Sequence, residues 1–558
     1  MPPRSCATIG VGRRFAVPWE SPMRSPVFVC LLALAFAGTA FSGPTLDALA
    51  QDPVKKKELE KGYKALDKYF KAEAEQNKGG KGAGAKAAAQ EEFLKWLQGT
   101  GGSPIGLDLR GQPDIVIQML DNARIKYLEA KFKKGVIEYV KVGDAKGMKR
   151  HEYAILIPAA YDPAKRRIPV ILSLHSRVIN PRHPAFRSAP FDERAREAVH
   201  NNWLRTPAAE QAIVIAPTTE PNGFLFEENH YDDLQALYRT LGEALTNYRG
   251  DWDRIFLEVH GKAIRVACEQ SLVFAGIIVR DRPDDRKGPF LAREDFFLLE
   301  NLNGVPLCYV ADVANWDAVG NPMSEALTAA YQKAGKPENL VIIKAQRDVD
   351  GALRGGEDQI RDLVTKSERV KGREKFTWRF ADAQQVDPFP LTIDANFNFD
   401  VSPAAKNAPL AAKAGRLSFE VRREAVNGQD INRIDIHATE AEGLRISLYE
   451  PLLNLDLPVT ITVNGAPVDP PVEAKKFERD WDQFFESVLP LRFFMVPFLN
   501  QVDFSFPHKP EFVDPNAKPA EGAEKPVDGD DKAKVPDGTP AGGAAPAEGD
   551  GEKKASGR

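Results

Sequence analysis

Short, almost unbroken apolar runs separated by helical stretches constrain this chain more than any other feature. They are Ile168–Leu174, Ala212–Pro217, Phe274–Val279 and Val305–Val310, with Asn339–Lys344 after them. A strand with no polar alternation must be buried on both faces, and helices between such strands supply the cover. Helical patterns fall where this requires them, at Asp233–Tyr248 and Ser324–Ala334. The expectation is an α/β fold, a mostly parallel sheet with helices on both faces. Two further strands, Val136–Val142 and His151–Pro158, precede it.

After residue 370 the pattern changes to alternation. Phe376–Phe380, Leu417–Val421, Ile434–Ala438, Leu444–Leu448 and Val459–Val463 each alternate apolar with polar, and Asn464–Gly465 is the pair that tight hairpins favour. A smaller β-rich domain is expected there. Phe477, Trp481, Phe484 and Phe485 share one helical face that suits packing on a core. Beyond about residue 516 the chain has no aromatic, Leu or Ile and cannot bury enough surface to order itself, apart from the phenylalanine-bearing approach that ends before it.

At the other end, Met23-Arg24 precedes the apolar run Val27–Phe36 and small residues around Ala40–Ser42, the layout of an export signal cut near Gly43. The run is shorter than the ~20 residues of a membrane span, so no stable transmembrane segment is expected after cleavage. A secreted, periplasmic or cell-envelope location follows. Residues 51–98 are Lys-, Glu- and Ala-rich with Leu59, Tyr63, Leu66, Tyr69 and Phe70 at helical spacing. A solvated charged face is the simpler reading there, and a docking helix the sharper one. The expected divisions are a leader at 1–42, a helical region at 43–135, the α/β domain at 136–372, the β-rich domain at 373–515 and a disordered tail at 516–558.

The formal charge of −4, from 75 basic and 79 acidic side chains, leaves no field to hold nucleic acid. Of four cysteines, Cys6 and Cys30 belong to the leader, leaving Cys268 and Cys308 in apolar surroundings, either paired or as buried thiols. The acidic run Glu227–Asp233, with His230 inside it, is better read as the charged first turn of the following helix than as a metal site. No metal and no cofactor are expected.

The run Arg254–His260, then Gly261, then Lys262–Cys268, reads as a strand turning sharply into a helix. Together with Tyr153–Pro158, Tyr161–Lys165 and a strand ending at His175, it resembles the α/β hydrolases, in particular the secreted esterase, polyhydroxyalkanoate-depolymerase and prolyl-oligopeptidase-like branch. The resemblance covers about residues 136–370. It implies a nucleophile elbow of the form G-x-S-x-G, but the frame here is Val259-His260-Gly261-Lys262-Ala263, with glycine in the serine position. Where oxyanion donors are implied after the third strand, the chain has His175-Ser176-Arg177. The implied acid has Asn315 and Asp317 nearest to it. The implied histidine has only Asp348 and Asp350, since no histidine occurs between His260 and His437.

Acyl transfer needs nucleophile, base and acid together. The expected function is therefore that of a non-catalytic binding or scaffold protein with an unidentified ligand or protein partner. The expected ligand contacts are His175, Ser176, His260, Gly261 and Lys262, with no catalytic residue. The alternative is a serine-hydrolase-like esterase or peptidase with an unrecognised site.

Overall fold

The computed structural model describes residues 46–77, 83–100, 107–110, 112–127, 133–142, 151–163, 166–174, 199–217, 237–281, 293–348, 352–370, 375–380, 391–392, 415–439, 443–448, 453–467, 481 and 500–505, apart from 201, 238, 239, 243, 246 and 427. The expected leader, the acidic run at 227–233 and the expected tail lie outside them, as do His175, Ser176 and Asp350.

The main sheet has nine strands. They are β1 (Ile137–Val142), β2 (His151–Leu156), β3 (Ile168–Ser173), β4 (Ile213–Pro217), β5 (Gly250–His260), β6 (Gly276–Arg280), β7 (Leu307–Asp312), β8 (Leu340–Arg347) and β9 (Leu353–Arg354), in the spatial order β1-β2-β4-β3-β5-β6-β7-β8-β9. From β4 to β8 neighbouring strands run parallel, whereas β1 against β2, β2 against β4 and β8 against β9 are antiparallel. This is a mixed, mostly parallel α/β-hydrolase-like fold. Every residue of β3, β4, β6 and β7 is buried, which is why their sequences carry no alternation. β8 differs. Its residues are largely half-exposed, because only two residues of β9 continue the sheet beyond it.

Successive residues along the strands feed two separate cores. Leu172, Leu257, Val279 and Tyr309 belong to one face and Ile171, Phe256, Ile278 and Val310 to the other. The helices that pack on the first face include α1 (Leu46–Gln51), α2 (Pro53–Asn77), α3 (Ala83–Thr100) and α4 (Pro113–Arg124). Asp52 caps α2 by accepting from the backbone N–H groups of Val54 at 2.9 Å and Lys55 at 3.3 Å, with Pro53 in the first helical position. Gly62 lets α2 meet α3 closely, since a Cβ there would lie 2.5 Å from the Trp96 ring. The solvated face read from the sequence is present, with Lys68–Glu92 and Lys95–Glu91 ion pairs on it. The opposite face, with Leu59, Leu66, Tyr69 and Phe70, joins the core of the sheet.

One carboxylate fastens α4 to the sheet. Asp121 Oδ2 accepts from Arg167 Nε at 2.9 Å and from Arg249 Nε and Nη2, both at 3.2 Å. Arg167 also lies 3.5 Å over the Trp252 ring, and Arg249 Nη1 donates to Pro163 O at 2.5 Å.

Two smaller sheets follow. β10 (Lys375–Phe380), β12 (Gly415–Val426), β13 (Gln429–Thr439), β15 (Val459–Val463) and β16 (Ala466–Pro467) form one, in the order β10-β12-β13-β15-β16. β11 (Leu391–Thr392), β14 (Gly443–Leu448) and β17 (Asn500–Ser505) form the other. The Asn-Gly signal is realised between β15 and β16: Asn464 and Gly465 both have positive φ, 52° and 81°, as a two-residue hairpin turn of this type requires. Of the aromatic helical face read at 477–485, only Trp481 is described, and it is buried in the core.

Removing the negative partner from one buried and one half-buried guanidinium group is costly. Asp121→Asn is expected to lower stability by about 3–5 kcal/mol in urea unfolding. An unchanged midpoint would show that Arg167 and Arg249 do not depend on Asp121.

Candidate functional site

The strand-to-helix turn lies at the centre of the sheet. Residues Ile255–Val259 of β5 are buried, Gly261 turns with φ +55°, and a 3-10 turn at Gly261–Ala263 leads into the helix α5 (Ile264–Glu269). A positive φ is strained for a residue with a Cβ and free for glycine. Lys262 contributes its backbone to the same turn. The apex is thus a sharp strand-to-helix turn that carries no side chain.

Beneath the apex, Glu258 is completely buried. Its Oε2 accepts from Ser173 Oγ and, at 2.5 Å, from Trp203 Nε1, and its Oε1 accepts from Arg280 Nε at 2.6 Å. Arg280 Nη1 continues to Leu353 O at 3.1 Å. His260, one residue before the turn, has Nε2 3.3 Å from Asn202 Nδ2 and 3.7 Å from Glu258 Oε1. Burial alone raises the Glu258 pKa. The Arg280 charge, His260 and the hydrogen bonds from Ser173 and Trp203 together outweigh it, and the net shift is downward.

A second network closes the ends of β6, β7 and β8. Asp281 accepts from Tyr309 OH at 2.7 Å and from Asp312 N at 2.8 Å. Asp312 accepts from Ala314 N at 2.9 Å and from Arg347 Nε at 2.7 Å, and Arg347 Nη2 reaches Asp281 O at 2.8 Å. The carboxylate at the end of β7 is thus Asp312. The two positions read from the sequence as nearest to the acid lie outside the strand, Asn315 in a 3-10 turn and Asp317 exposed on a π-helical turn. Where the resemblance implies a histidine after the last strand, Arg347 holds the carboxylate. Asp348 is occupied with the hairpin between β8 and β9, accepting from Ala352 N at 2.9 Å and Arg354 Nε at 3.0 Å.

Of the residues read as ligand contacts, His260, Gly261 and Lys262 come together at this turn, while His175 and Ser176 lie outside the described residues. The reading from sequence missed Glu258, Arg280, Asp281, Asp312 and Arg347. Their signal was a charge set inside or at the close of an apolar run, as in Leu257-Glu258-Val259 and Val279-Arg280-Asp281. Asn202, Trp203, Thr206, Arg280, Arg354 and Glu357 line a cleft with room for about one water. Among the described residues, no group of His, Cys, Asp or Glu is arranged to hold a metal ion, and no helix is long and apolar enough to cross a membrane.

Both thiols are free and buried. Burial pushes Cys268 well above the ordinary thiol range, with Glu269 adding to it and Arg265 opposing, and pushes Cys308 up to about 12 against the pull of Arg280. Neither has the depressed pKa of a nucleophilic cysteine.

No family model and no curated protein sequence matches the chain. Among solved structures, it is similar to a thermostable esterase at 16% identity and TM-score 0.29, covering 42% of this chain and 63% of that one. It is similar to the acylaminoacyl peptidase of Pyrococcus horikoshii at 12% identity and TM-score 0.30, covering 44% and 43%. It is also similar to dipeptidyl peptidase 4 of Porphyromonas gingivalis at 15% identity and TM-score 0.28, covering 41% and 35%. The chain spans less than two thirds of the length of each. These values mark distant similarity, and the strand order itself defines the α/β-hydrolase-like class.

A lowered pKa in the folded state means that Glu258 stabilises the protein above the pH where a free glutamate ionises, and that this contribution is lost as pH falls through the folded value. Glu258→Gln is expected to cost about 3 kcal/mol or more at pH 7 by leaving Arg280 unpaired. Its deficit relative to the parent should shrink below pH ~4. A deficit independent of pH would contradict this. Native protein should also resist iodoacetamide at Cys268 and Cys308 and react at both once unfolded. Rapid native alkylation would contradict their burial.

Proposed function

We propose that this chain is a non-catalytic α/β-hydrolase-fold protein, exported from the cytoplasm, that works by binding a ligand or a protein partner or as a scaffold. The reading rests on Gly261: the apex of the elbow carries no hydroxyl to be acylated. Asp312 supports it, since its carboxylate is held by the guanidinium of Arg347 and not by an imidazole that could serve as a general base. The contact set would centre on His260 and Lys262 beside the turn, with His175 and Ser176 following β3. Export is supported by the apolar run Val27–Phe36 and the small residues after it.

Fluorophosphonate probes should leave the mature protein unlabelled, and short acyl esters should not be turned over. Gly261→Ser restores a hydroxyl without a base, so its ester turnover should stay far below ~1 s⁻¹, the low end of ordinary enzymes. The variant should also lose about 1 kcal/mol or more, because a Cβ must adopt a positive φ. Stoichiometric labelling of a serine in the parent, or turnover by the variant in the enzyme range, would instead establish a serine hydrolase whose base lies elsewhere.

A further inference from the structure

The 3-10 helix Arg293–Leu302 and the turn that follows it bring two asparagine side chains, Asn301 and Asn303, against the outer edge of β10. Asn301 Oδ1 accepts from Arg379 N at 2.6 Å and its Nδ2 donates to Arg379 O at 2.7 Å. Asn303 repeats this on Thr377, with Oδ1 accepting from Thr377 N and Nδ2 donating to Thr377 O, both at 2.9 Å. Alternate residues of a strand present N–H and C=O to the same edge. The two amides therefore take the place of a neighbouring strand, and β10 is the edge through which the five-stranded sheet meets this segment. Only a carboxamide offers a donor and an acceptor side by side in one plane.

Asn303 is followed by Gly304, and the two have φ of 48° and 70°. Gly304 has no side chain of its own to shield its nitrogen, the space a Cβ would take being filled by Lys336, and among the described residues Asn303 N and Val305 N donate to the backbone of this turn whereas Gly304 N does not. Asn303 Nδ2 also donates to Asn301 O at 2.8 Å, so at least three bonds hold the amide while β10 is in place.

We propose that Asn303 is a deamidation site whose conversion to aspartate or isoaspartate releases β10, and with it the five-stranded sheet, irreversibly. The nitrogen of Gly304 attacks Cγ of Asn303 and forms the N–Cγ bond of a succinimide. The Cγ–Nδ2 bond breaks, and ammonia leaves with the proton from the Gly304 amide. Water then opens the ring. One water enters and one ammonia departs, with no oxidant or reductant. The product carries an acceptor oxygen where Thr377 O needs a donor, so the edge cannot be rebound; Asn301 O keeps the Ser271 hydroxyl as its donor. While the clamp is closed, the three bonds hold the side chain out of ring closure. Conversion is therefore gated by opening of β10 and records it.

The full-length protein is incubated at 37 °C and pH 8 and sampled over days. Peptide mapping measures conversion at residue 303, and limited chymotrypsin cleavage at Phe376 and Trp378 measures exposure of β10, Trp378 being fully buried in the closed state. Asn303→Asp should be cleaved at once at the rate of the converted fraction. Asn301→Ala, which removes half of the clamp, should deamidate at residue 303 about tenfold faster than the parent. If the alanine variant does not fold, Asn301→Ser serves for the rate, and the Asn303→Asp cleavage assay stands independently. Equal cleavage of Asn303→Asp and parent, or equal deamidation rates with and without an intact Asn301, would overturn the proposal.

Discussion

The buried pair of Glu258 and Arg280 is the interaction on which the centre of this molecule depends. It joins β5 to β6, and through Ser173 and Trp203 it reaches β3 and the segment after it. A carboxylate with no exposure is tolerable only when its oxygens are satisfied by charge and by hydrogen bonds. Here a guanidinium, an indole N–H and a hydroxyl do so together. The turn at Gly261 is built directly on this arrangement, and its rigidity derives from the polar layer beneath as much as from the apolar faces on either side.

The fold class was legible because its cause is local. A strand covered on both faces must be apolar throughout, and β3, β4, β6 and β7 are buried residue by residue. The turn was legible for a similar reason, since the largely apolar run of β5 stops at a glycine followed by a helical pattern. The polar layer was harder to read because its partners are far apart in sequence: Glu258 and Ser173 are separated by 85 positions and Asp121 and Arg249 by 128. Asp312 illustrates a second difficulty. A charged residue at the end of an apolar run looks like the start of a loop, yet it is the last residue of the strand, and its charge is what β7 offers to Arg347. The half-exposed β8 shows that an apolar run does not distinguish a central strand from one near the margin.

The helices before the sheet show how a charged composition can hide a structural role. Their Lys and Glu residues do face solvent, but the opposite faces of α2, α3 and α4 complete one core with the sheet, so these helices are part of its covering layer. Asp121 adds a directional constraint that apolar packing lacks, because two guanidinium forks and the Trp252 ring fix where α4 can sit.

The pairing of Asp312 with Arg347 has a consequence for proton movement. An imidazole beside a carboxylate can take up and return a proton near neutrality, whereas a guanidinium stays protonated through that range. The ends of β7 and β8 thus carry a carboxylate–guanidinium pair where a relay would need an imidazole. Converting it to a relay would require two coupled changes, a titratable group in place of Arg347 and a new counter-charge arrangement for Asp281 and Asp312. No single substitution at the turn supplies both changes.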